Sequence, residues 1–142
     1  MSAEANNAHV LAFFKAWEKG TFADLCNAYR TYLSRDVVYE NSGVATCNGI
    51  EEAIDLITSV CTLPALDIQT IEAELFHIAA VGDVVFTERT DWHRNTQGVA
   101  TLVPKICGIM EFKNGTIIRW ADYFDPKAGF PESKLEEQIA AV

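Results

Sequence analysis

A chain of 142 residues with 49% hydrophobic and 22% charged side chains is long enough for one packed domain and too apolar for a disordered one. Its formal net charge of -9 repels phosphate backbones and anionic bilayers, and the basic residues are scattered, which argues against nucleic acid and membranes as partners. Met1 to Ala8 lacks a basic stretch followed by an apolar core, and no apolar run approaches the ~20 residues of a bilayer span, so a cytoplasmic protein with a single domain over 1–142 is expected.

In chain order, Val10, Phe13, Phe14 and Trp17 recur at helical spacing and predict a helix from about Asn6 to Lys19, ended by Gly20. Thr21 reads as the N-cap of a second helix that carries Phe22, Leu25, Cys26, Tyr29 and Leu33 on one stripe. The β-branched run Val37-Val38-Tyr39 predicts a strand. Ile50, Ala53, Ile54, Ile57 and Cys61 form the apolar face of a third helix, stopped by Pro64. The period then falls to two, and Leu66 to Ala80, Asp83 to Asn95, Val99 to Lys113 and Thr116 to Phe124 read as four strands. A last helix is predicted from Glu132 to Ala140.

Short connectors at Val81-Gly82-Asp83, Thr96-Gln97-Gly98 and Lys113-Asn114-Gly115 favour antiparallel neighbours. Helices first and a meander afterwards make an α+β domain. A curved sheet with the helices on its concave side would form a cone with a pocket; a flatter sandwich has the same order of elements.

Cys26, Cys47, Cys61 and Cys107 are far apart, with no paired spacing and no histidine at ligand distance, so reduced thiols and no metal are expected. No nucleophile elbow, phosphate loop or dinucleotide fingerprint is present, and no cofactor is expected.

Residues i and i+2 of a strand share a face, so Arg89 joins Asp91 and His93 in one row, and Trp120, Asp122 and Phe124 follow Ile118 in another. An acid between two large aromatics is expected inside, where it needs hydrogen bonds or a cation. Arg89 suits it, because a planar guanidinium serves two carboxylates at once. In such an Asp91–Arg89–Asp122 unit the two acids titrate as a coupled pair, one donating while the other accepts, which is the division of labour that opening a ring requires. A buried network kept only for fold specificity has the same residues. Tyr39 and Asn41 share a face as well, and fit either a small polar ligand or a strand end leading into the turn Asn41-Ser42-Gly43.

The segments Phe86-Thr87-Glu88-Arg89-Thr90-Asp91, Gly108-Ile109-Met110-Glu111-Phe112 with Asn114-Gly115, and Trp120-Ala121-Asp122-Tyr123-Phe124-Asp125, together with Tyr39-Glu40-Asn41, resemble the limonene-1,2-epoxide hydrolase family. The resemblance implies the cone of the nuclear transport factor 2 (NTF2-like, SnoaL-like) superfamily, with a strongly curved, mixed but mostly antiparallel sheet and usually a homodimer. It implies that Asp122 is the base, Asp91 the acid and Arg89 the bridge between them, with Tyr39 and Asn41 orienting a water. Trp120, Phe124, His93 and Ile106 would face the substrate. A small, largely apolar epoxide and water would be the reactants, with no metal and no covalent intermediate. The chain departs from the family's aliphatic lining at His93 and Pro104, and around Thr96-Gln97-Gly98-Val99. An isomerase or cyclase on the same cone, and a ligand-binding domain without activity, are the competing readings.

Overall fold

The computed structural model describes residues 2–127; the helix expected from Glu132 to Ala140 lies outside them. Helix α1 spans Ala3–Ala16, capped by the Ser2 hydroxyl accepting from the Ala5 N–H, and α2 spans Phe22–Tyr32, capped in the same way by Thr21 on Asp24. Between them Gly20 turns the chain at φ 78°, where an added Cβ would meet the Ile71 carbonyl at 2.9 Å. Helix α3 covers Ile50–Cys61.

The strands are β1 (Leu33–Asn41), β2 (Ala45–Asn48), β3 (Ile68–Val81), β4 (Val84–Asn95), β5 (Ala100–Leu102), β6 (Lys105–Lys113) and β7 (Thr116–Tyr123). They form one curved sheet in the order β2-β1-β7-β6-β4-β3, with β5 paired to β4. All neighbours are antiparallel except β1 and β7, so the sheet is mixed and its two parts join through a parallel pair. The α+β class and the mostly antiparallel curved sheet agree with the sequence.

The inner face is built from the alternating rows of these strands. Val37 and Tyr39 of β1, Val85 of β4, Met110 and Phe112 of β6 and Trp120 of β7 pack with Val10, Phe13, Phe14 and Trp17 of the α1 region. Phe13 meets Trp120 edge to face at 5.3 Å between centroids.

Several elements differ from their sequence expectation, each for a structural reason. Leu33 opens β1 instead of closing α2, and the short edge strand β2 had no apolar pattern to announce it. The run from Val99 to Lys113 breaks into β5 and β6 around Val103-Pro104, because proline offers no N–H to a ladder. Ile118 does not belong to the inward row: Glu111 pairs Arg119 while Phe112 pairs Ile117, so Ile118 is a bulge residue. The extra residue shifts the parity of β7, burying Ile117 and turning Ile118 outward. A similar slip at Phe76 between Leu75 and His77 bends β3.

Candidate active site

Every strand that builds the site contributes through its inward row. On β4 the buried residues are Val85, Thr87, Arg89, Asp91 and His93, together with Thr90 of the outer row. Asp122 of β7 is the cross-strand partner of Asn41 on β1 and of Gly108 on β6, and Gly108 in turn faces Thr87 on β4. Arg89 and Asp122 therefore belong to strands that are not neighbours, and the guanidinium reaches its carboxylate over β6.

Gly108 makes this crossing possible. A Cβ there would stand 2.8 Å from Asp122 Oδ1, 2.8 Å from Thr87 Oγ1 and 3.0 Å from Arg89 Nη1. Sequence reasoning on the charged residues passed over Gly108; a glycine inside a central strand was the available signal, since it often marks a close approach.

Arg89 is 1% exposed and donates four hydrogen bonds. Nε and Nη2 reach Asp91 Oδ1 and Oδ2 at 2.9 and 3.2 Å, while Nη1 and Nη2 reach Asp122 Oδ1 and Oδ2 at 3.0 and 2.7 Å. Burial by itself would lower the guanidinium's pKa, but the charges of Asp122 and Asp91 outweigh it and raise it well above its ordinary value, so Arg89 stays a cation. The faces of Phe14 and Trp120 lie 5.3 and 5.6 Å from its central carbon and add cation–π attraction.

The two carboxylates are held unequally. Besides Arg89, Asp122 accepts from Tyr39 Oη at 2.8 Å and from Trp120 Nε1 at 2.8 Å, so its two oxygens have four donors and no acceptor site to spare. Among the described residues Asp91 receives only the two Arg89 bonds on its side chain, which retains slight exposure. Tyr39 stacks on Trp120 at 4.0 Å with an 11° interplanar angle. Burial, and then the negative charge of Asp122, hold the phenol well above its usual range, so it remains a neutral donor.

Asn41 ends β1 and also opens the turn that follows, with Val44 N–H donating to its carbonyl. Its amide Nδ2 is buried without a hydrogen-bond partner among the described residues. Ile106, the cross-strand partner of Arg89, is buried on the inner face; Phe124 is half-buried just beyond β7. Trp120 serves Asp122 as a donor, a contact that its assignment to the substrate wall did not foresee. His93 is buried on the same row as Asp91, with Nδ1 3.3 Å from the Asp91 carbonyl and 3.2 Å from that of Leu102. All four cysteines are free thiols, and among the described residues no three His, Cys, Asp or Glu side chains converge as a metal site. No described helix is long and apolar enough to cross a membrane.

A family model described as "Limonene-1,2-epoxide hydrolase catalytic domain" matches residues 4–131. The curated epoxide hydrolase EphG of Mycobacterium tuberculosis is 32% identical over 93 residues, which is 66% of this chain and 58% of that protein's length. A solved structure of a Mycobacterium tuberculosis LEH-like epoxide hydrolase superposes with a TM-score of 0.69 at 25% identity, covering 99% of this chain and 98% of the other. An NTF2-like protein of unknown function from Burkholderia pseudomallei shares the fold with a TM-score of 0.70 at 19% identity, covering 99% and 97%. With the match running through every described strand, the chain belongs to the limonene-1,2-epoxide hydrolase family and shares its fold with NTF2-like proteins.

Proposed function

We propose that the protein is an epoxide hydrolase that adds water to a small, largely apolar epoxide and releases a vicinal diol in one step, with no covalent enzyme intermediate. The observation that carries this reading is the Arg89 fork, which joins two buried carboxylates holding unequal sets of donors. Asp122 accepts from four donors, whereas Asp91 accepts from Arg89 alone among the described residues and is the less buried of the two carboxylates.

In the proposed reaction Asp91 protonates the epoxide oxygen as the C–O bond breaks, and a water attacks the ring carbon from the opposite side. The water's proton goes to Asp122. Oδ2 takes it once the Tyr39 hydroxyl turns its hydrogen away, because that hydroxyl is the donor that can rotate, whereas Arg89 and Trp120 present fixed N–H groups. The unpartnered amide of Asn41, across the strand from Asp122, is the kind of buried donor that an ordered water satisfies. The site resets when Asp122 releases its proton and Asp91 regains one. Positioning and paired proton transfer supply the rate.

Turnover of an epoxide panel in 18O-labelled water tests the reading. Label in the diol after a single turnover, with none on the protein, is expected. No diol from any epoxide would leave the ligand-binding reading, and label first on the enzyme would replace direct attack by a covalent route. The proposal includes a homodimer, for which the outer sheet face offers exposed Phe76, Phe86, Ile118 and Tyr123; sedimentation equilibrium reads that directly.

A further inference from the structure

We infer that His93 selects the substrate: its Nε2 accepts a hydrogen bond from a hydroxyl group, so the favoured substrates are epoxides bearing an alcohol close to the ring. The inference rests on the epoxide hydrolase reading and narrows its substrate class.

His93 follows Arg89 and Asp91 on the inward row of β4 and is 7% exposed. Both atoms within reach of its Nδ1, the carbonyl oxygens of Asp91 and Leu102, can only accept, so Nδ1 carries the hydrogen. In the neutral ring the lone pair is then on Nε2. Burial, opposed by the nearby Asp91 carboxylate, lowers the imidazole below its ordinary value and keeps it neutral. Nε2 has no hydrogen-bond partner among the described residues. The two nitrogens lie on opposite sides of the ring, so an Nδ1 turned to the backbone of β4 and β5 leaves Nε2 turned away from both.

The position along the strand defines what this acceptor would meet. His93 and Asp91 are separated by two residues, about 6.7 Å along a strand, a span that a few carbon atoms bridge. Ile71, the cross-strand partner of His93, lines a half-open cavity of about 220 Å³ between the start of α2, the end of α3 and β3. From that opening the pairs run Ile71–His93, then Ala73–Asp91, then Leu75–Arg89. A substrate that presents its epoxide oxygen to Asp91 and extends along the strand toward that cavity, whose lining includes neither residue, would have its outer carbons at His93. An ammonium donor would have to shed its hydration for a buried place, whereas a hydroxyl is a neutral donor that loses little there.

The test measures kcat/KM of the full-length protein on three epoxides of one carbon skeleton: an alcohol next to the ring, its methyl ether and the unsubstituted compound. The alcohol is expected to exceed both others by about tenfold or more, since a site built around a substrate hydroxyl penalises analogues lacking it. His93→Leu should bring the alcohol-to-ether ratio close to one, and His93→Gln, which keeps an acceptor oxygen, should retain part of it. Equal wild-type efficiency on alcohol and ether overturns the inference, as does an unchanged ratio in His93→Leu. Should the variants fail to fold, the wild-type alcohol-to-ether comparison decides alone. Diol from all three compounds at equal efficiency removes only the role of His93, whereas no diol from any removes the hydrolase reading together with it.

Discussion

Gly108 on β6 and Asp122 on β7 are cross-strand partners so close that any side chain on Gly108 would stand 2.8 Å from the Asp122 carboxylate. The missing Cβ is the space through which Arg89, one strand further on, makes both of its bonds to Asp122. A strand interior ordinarily loses stability with glycine, by roughly 0.5–1 kcal/mol relative to alanine; here the ion pair requires it.

Gly108→Ala should therefore harm both properties. Neither Asp122 nor Arg89 can retreat without losing other bonds, so overpacking of about 1–3 kcal/mol is expected. A thermal melt should show a fall of several degrees, and diol formation should drop at least tenfold. A variant as stable and as active as the parent would contradict the crossing of Arg89 over β6.

Asp122→Asn removes the charge and turns one acceptor oxygen into a donor facing the donors of Arg89, Tyr39 or Trp120. On the proposed reaction, kcat should fall by about 100-fold or more, the scale of a lost general base. Breaking a buried pair on one side costs about 3–5 kcal/mol, softened here because Asp91 still faces Arg89. Circular dichroism should report a folded protein with a lowered melting temperature, and steady-state kinetics the loss of turnover.

Tyr39→Phe separates packing from hydrogen bonding. The stack on Trp120 survives, while Asp122 Oδ2 loses one of its two donors. Stability should change by about 1 kcal/mol, the net worth of a hydrogen bond, and kcat by about tenfold or more, because the rotating donor beside the water is gone. Kinetics and a denaturant titration on the same preparation check both, and equal activity of the two proteins would remove Tyr39 from the mechanism.

His93 predicts a pH dependence of stability. Its folded pKa lies below the ordinary 6.5, through burial opposed by Asp91, with Arg89 lowering it further. Between the folded value and 6.5 the unfolded chain binds a proton that the folded chain refuses, so stability should fall as pH drops below about 6.5 and level off once the folded ring also protonates. Above 6.5 this contribution is fully present. Urea midpoints collected from pH 8 downward should show the decline, and His93→Gln should flatten its first part.

Much of the site was legible along single strands. That Arg89, Asp91 and His93 share a face follows from the two-residue repeat, and the inward aspartate of Trp120-Ala121-Asp122 follows from its aromatic neighbour two residues before. The same rule misplaced Ile118, because one bulge residue reverses the parity of everything on its far side. The turn-rich stretch around β2 and the Pro104 break were hidden for a related reason: pairing partners, rather than local propensity, decide where short edge strands begin and end.

The sequence by itself determined the described helices, most of the long strands, their order and the charged rows, since helix caps, apolar periods and side-chain alternation are local properties of the chain. Only the tertiary structure decided that the two rows meet. Parallel pairing of β1 with β7 brings Tyr39 and Asn41 to residues about eighty positions later, and Gly108 lets Arg89 span β6 to Asp122. Such contacts depend on register and curvature, which are set by how distant surfaces pack and carry no signature in either segment alone.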